Sequence, residues 1–155
     1  MKPNRIFAFL ASLFPLILMM GLALLSTGCA TTPHGGRYVV EKRMLTTGYC
    51  PCGECCSWHR NWLFRPVYSS GPLKGKRKDV GITASGVKAR HGTIAADISR
   101  YPFGTEMIID GYGKGRVEDQ GGAITGDHID LYFPTHREAM DWGKRIKVVK
   151  VWMDG

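Results

Sequence analysis

Hydrophobic residues are unevenly placed along the chain. One apolar run without a charge fills Ile6–Leu25, preceded by Lys2 and Arg5. Beyond it, apolar residues come in short segments broken by glycine, proline and charge. Tyr38–Tyr49 carries the β-formers Tyr38, Val39, Val40, Thr46, Thr47 and Tyr49 and predicts a first strand. Residues 61–79 hold Pro66, Ser69, Ser70, Gly71, Pro72 and Gly75 with the basic run Lys74, Lys76, Arg77 and Lys78, the pattern of a solvated surface loop. Residues 92–97 and 104–110 read as strands, and Gly111–Gly115 as the turn into a further strand through Arg116–Asp119. Residues 128–133 alternate their faces, as a half-buried strand does. Thr135 followed three residues later by Glu138 is a capping box that starts one short helix, 135–142, and RIKVVKVW at 145–152 closes the chain as a strand. Many short strands, one helix and abundant glycine fit a small closed barrel, a mainly β fold.

Composition supports that reading. The chain has 155 residues, enough for one ordinary domain, and 20 of them are glycine, which favours a turn-rich β protein over a helix bundle. At 44% hydrophobic and 22% charged it is not a disordered chain. Its formal charge of +8 drops by two if Lys2 and Arg5 are removed, which suits an anionic polymer or surface but does not argue for nucleic acid.

The residues just after the apolar run change the picture. Leu25-Ser26-Thr27-Gly28-Cys29 resembles a bacterial lipobox, with small residues before a cysteine, although Ser26 stands where leucine is commonest. Residues 1–28 are then a lipoprotein signal peptide, Cys29 the lipidated first residue of the mature chain, 29–37 a linker and 38–155 the folded domain. The competing reading is an uncleaved transmembrane anchor with an incidental cysteine, since the run is long enough to span a bilayer. Both place the domain outside the cytoplasm. A lipidated Cys29 implies a membrane-anchored envelope protein, expected at the outer membrane and facing the periplasm.

Four cysteines remain, Cys50, Cys52, Cys55 and Cys56. In an oxidising compartment an even number predicts two disulfides, joining one member of the first pair to one of the second, with no bound metal and no cofactor. A four-thiolate zinc site is the alternative, because Cys52 and Cys55 have zinc-knuckle spacing, but the adjacent Cys55 and Cys56 make its geometry awkward.

Three acids, Asp97, Asp119 and Asp130, sit among glycines and β-formers. The spacing of Asp119 and Asp130 around Gly121, Gly122 and Gly126 fits two adjacent strands whose ends bring both carboxylates into one pocket. Two such groups do not both ionise freely, and the protonated one is a general acid suited to a glycosidic oxygen. The plainer reading is that each aspartate caps a turn.

The ordered series Gly81-Ile82-Thr83-Ala84-Ser85-Gly86, Gly92–Asp97, Tyr101–Thr105, Val117–Ile124 and Asp127–Tyr132 resembles the 3D domain family, named for its three aspartates. It is similar to the barrel of the membrane-bound lytic murein transglycosylase A family and to stationary-phase survival proteins. The resemblance implies a six-stranded double-psi β-barrel and cleavage of the β-1,4 bond between N-acetylmuramic acid and N-acetylglucosamine in peptidoglycan, leaving a 1,6-anhydro end. It assigns Asp130 as the catalytic acid and Asp119 as the acid flanking it. It also implies that Asp97, Thr83, Ser85, Gly121 and Gly122 line the groove for the glycan strand. The chain lacks the large inserted domain of those transglycosylases, which leaves a non-catalytic, expansin-like wall-binding barrel as the alternative.

Overall fold

The structure is a computed structural model that describes residues 36–154. The proposed signal peptide, Cys29 and most of the linker lie outside the described residues. Among the described residues there are eight strands and one helix: β1 (Tyr38–Tyr49), β2 (Trp58–Arg60), β3 (Pro66–Tyr68), β4 (Thr93–Ala95), β5 (Glu106–Ile109), β6 (Gly113–Asp119), β7 (His128–Tyr132), α1 (His136–Trp142) and β8 (Arg145–Met153). Six strands close into a barrel in the order β1-β7-β4-β6-β5-β8, and β8 pairs back onto β1. Two pairings are parallel, β1 with β7 and β4 with β6, and the others are antiparallel. This is the closed six-stranded architecture expected for a double-psi barrel.

The alternation seen in the sequence fills the barrel. Ile94, Val117, Ile129, Leu131, Val149 and Val151 are fully buried and pack together with Met44 and Met107. On β7 the side chains of Ile129 and Leu131 take the inner face, so His128 and Asp130 take the other. Helix α1 packs against β1. Thr135 Oγ1 accepts from Glu138 N–H while the Glu138 carboxylate accepts from Thr135 N–H, which is the expected capping box. Trp142 seats the helix by donating its Nε1–H to Thr46 Oγ1 at 3.2 Å. Gly48 lets it sit there, because a Cβ at that position would come within 2.7 Å of the Ala139 carbonyl oxygen.

The segment expected to be a plain loop differs. Part of it pairs with Trp58–Arg60 as the β2–β3 hairpin, held by the buried Val67. Lys74, Lys76 and Arg77 are exposed, and the half-buried Lys78 lies over the Tyr68 ring at 4.3 Å.

Candidate active site

Strand β4 is the axis of the site. Its last residue, Ala95, pairs with Asp119 of β6 on one side and with Asp130 of β7 on the other. The two acids are therefore not on adjacent strands, as the spacing suggests, because β4 is inserted between β6 and β7. At about 4.8 Å per strand step, their backbones stand about 10 Å apart across the small Ala95 side chain. Both acids line one groove of about 720 Å³, walled by Tyr49, Cys56, Thr83 and Ile124.

The two carboxylates have different surroundings. Asp130 is half-buried on the outer face of the barrel, and Thr47 of the paired strand β1 donates its hydroxyl to Oδ1 at 2.8 Å. With its proton committed there, Thr47 Oγ1 accepts from His128 Nε2 at 3.0 Å. Burial pushes the Asp130 carboxyl above the ordinary carboxylate range. The Thr47 hydrogen bond and His128 oppose that shift, and the Asp119 charge adds to it. Asp119 is held by three donors: Ala84 N–H and Gln120 N–H, each at 2.9 Å on Oδ1, and the Tyr49 hydroxyl at 3.2 Å on Oδ2. Burial and that carboxylate push the Tyr49 phenol upward, so it remains a donor. Tyr49 meets Tyr132 edge to face at 5.5 Å and forms the groove floor with Ala95.

Among the other expected site residues, Thr83, Gly121 and Gly122 line the groove, whereas Ser85 and Asp97 do not. Thr83 is buried and donates to Val87 O at 3.1 Å, and Ser85 N–H donates to Glu118 O, so the Gly81–Gly86 turn is self-supporting. That turn places Ala84 N–H on Asp119. Asp97 accepts from Ser99 N–H, from Ser99 Oγ–H at 2.6 Å and from Gly126 N–H at 2.9 Å. The Ser99 hydroxyl chiefly holds its carboxyl below the ordinary range. Through Gly126, Asp97 pins the loop between the two groove acids. Thr47 is a site residue that the sequence does not reveal. Its role comes from the parallel register of β1 on β7, and a lone threonine in a strand carries no sign of that.

The expected disulfides are not formed: Cys50, Cys52, Cys55 and Cys56 are all free thiols. Close in sequence, they form one set, but the backbone separates them. Cys56 turns toward the groove and donates to Cys50 O at 3.2 Å. Cys50, Cys52 and Cys55 instead face His136, a residue to which the sequence alone assigns no role.

The family model described as the 3D domain matches residues 92–153. Two curated proteins of Bacillus subtilis (strain 168) are similar over 75 residues, 46% of this chain. They are "Cell wall-binding protein YocH", 36% identical, and "Putative cell wall shaping protein YabE", 35% identical. The matched stretch covers only 26% and 18% of their respective lengths. Among solved structures, MltA from E. coli overlaps 52% of this chain and 30% of its own, at 25% identity and a TM-score of 0.41. Its form with bound chitohexaose overlaps 47% and 27%, with a TM-score of 0.39. The match spans the segment from β4 to β8, so that this part of the chain is similar to the 3D domain family.

Proposed function

We propose that this chain is a peptidoglycan lytic transglycosylase with Asp130 as its single acid and base. One observation carries the reading. Asp130 is a partly buried carboxyl whose pKa is raised by burial, and it opens onto a groove within the segment matched by the 3D domain model. Thr47 engages Oδ1, which leaves Oδ2 for the proton. That proton passes to the oxygen linking N-acetylmuramic acid to N-acetylglucosamine, and the bond from this oxygen to the anomeric carbon breaks. The 6-hydroxyl of the same muramic residue attacks the anomeric carbon and returns its proton to Asp130. No water is consumed and no second catalytic base is needed, because intramolecular attack supplies the effective concentration. Asp119, fixed by its three donors, helps keep the proton on Asp130 and borders the glycan path, as do Thr83, Gly121 and Gly122. Asp97 and Ser85 act by positioning the loops that carry the site.

Cell-wall substrate is favoured by the names of the two Bacillus relatives, and the lipobox favours an exported envelope protein anchored through Cys29 at the outer membrane. The second reading is a wall-binding barrel without catalysis, which the name of the first relative favours. Peptidoglycan incubated with the purified chain distinguishes them. Anhydro-ended muropeptides support the transglycosylase, and glycan binding without any product supports the binding module.

A further inference from the structure

Cys50 directly follows β1, Cys52 and Cys55 stand in the turn that comes next, and His136 opens α1. Their three sulfurs and one ring nitrogen all lie within 4.8 Å of one another. His136 Nδ1 is 3.5 Å from the sulfurs of Cys52 and Cys55 and 3.9 Å from that of Cys50. The sulfurs of Cys50 and Cys55 are 3.7 Å apart. A tetrahedral zinc ion has bonds of about 2.3 Å to sulfur and about 2.0–2.1 Å to imidazole nitrogen, which sets neighbouring sulfurs about 3.8 Å apart and sulfur from nitrogen about 3.6 Å. These four edges match that tetrahedron to within a few tenths of an ångström, and the other two sulfur pairs lie within 4.8 Å.

The surroundings are those of a metal site as well. Glu54 Oε2 lies 3.4 Å from His136 Nε2, so the second ring nitrogen is directed to a carboxylate and Nδ1 is free to ligate. Cys55 N–H points at Cys52 Sγ at 3.4 Å, a backbone donor aimed at the sulfur. The turn is tight by construction, since a Cβ on Gly53 would lie 2.4 Å from the Trp58 carbonyl oxygen. The objection that adjacent cysteines cannot share one zinc does not apply, because Cys56 faces the groove and His136 takes the fourth position.

We propose that Cys50, Cys52, Cys55 and His136 form a structural zinc site that clips the cysteine-rich turn to the start of α1. Binding releases three protons to solvent as three thiols become thiolates, and neutral imidazole gives its Nδ1 lone pair to the metal. Four protein ligands leave no position for water, so the site is closed and not catalytic. Cys55 and Cys56 both line the groove, so the clip fixes the wall facing Asp119 and Asp130. The zinc site stands independently of whether the groove cleaves glycan.

The test uses the full chain, purified in detergent without chelator, with zinc measured by elemental mass spectrometry and cysteine state by alkylation and peptide mass spectrometry. One zinc per chain is expected, with Cys50, Cys52 and Cys55 protected until a chelator is added. Cobalt(II) in its place should give thiolate-to-cobalt charge transfer and the d–d absorption of a tetrahedral site. His136→Ala should lose most of the bound zinc, whereas His136→Cys should keep one metal per chain. Glu54→Gln should weaken zinc about tenfold or more in competition with a chromophoric chelator. Cys56→Ser should leave zinc affinity unchanged. Protein that takes up no zinc even when titrated overturns the proposal. So does a disulfide among Cys50, Cys52 and Cys55 in the purified chain, or zinc affinity unaltered by His136→Ala.

Discussion

Replacing Thr47 by valine preserves shape and removes the hydroxyl that holds Asp130. The bond lost is 2.8 Å long and goes to a partly buried carboxylate. A hydrogen bond to a charged group contributes about 1.5–3 kcal/mol, and one pKa unit corresponds to about 1.4 kcal/mol. The Asp130 midpoint in Thr47→Val should therefore rise by about one to two units above its wild-type value. Carbon-detected NMR of the Asp130 side chain across a pH titration reads that shift directly, without requiring activity. Stability should follow the same sign. A carboxyl held above its unfolded value leaves the fold fully stable below the ordinary carboxylate pKa, and stability is lost as pH rises through the folded value. Thr47→Val enlarges that loss, so its Tm should fall further at about pH 7 than at about pH 3. A midpoint that stays put or moves down, or an equal loss of Tm at both pH values, would refute the role given to Thr47.

The same geometry makes other outcomes testable. Asp119→Asn should move the Asp130 midpoint down by a fraction of a unit, because a like charge is removed while burial, the larger cause, remains. The optimum of any glycan cleavage should move down with it, and a pH–rate profile checks this. Gly48→Ala places a Cβ 2.7 Å from the Ala139 carbonyl oxygen and should destabilise the domain by about 1–3 kcal/mol, read by urea denaturation. Cys29→Ser should abolish lipidation and release the chain from membranes or leave it as a precursor. Intact mass and detergent partitioning measure both, and an unchanged result favours a plain transmembrane anchor.

Most strands are legible in the sequence because each is short, apolar on one face and bounded by glycine or proline. Strand β1 and the capping box at Thr135 lie where the pattern puts them, since the signals for both are local. The β2–β3 hairpin is not legible, because Val67 is a single buried residue in a polar, basic stretch. The acids are recognisable as a set, but their arrangement depends on β4 lying between β6 and β7, a long-range pairing that spacing along the chain does not encode. The same holds for Thr47 and His136, whose partners lie more than 80 residues away in sequence. Asp97 shares its neighbours' composition but faces a turn, so a motif match alone assigns it to the groove.

Mass spectrometry of muropeptides released from purified peptidoglycan tests the central claim most directly, with wild type and Asp130→Asn compared side by side. Wild-type protein should release 1,6-anhydro-ended products. Asp130→Asn should still bind the polymer but release them at least about a hundredfold more slowly, because general acid–base participation contributes at least that factor. Products of unchanged yield from Asp130→Asn, or reducing-end products in place of anhydro ends from the wild type, would contradict the assignment of Asp130 as the acid and base of a transglycosylase.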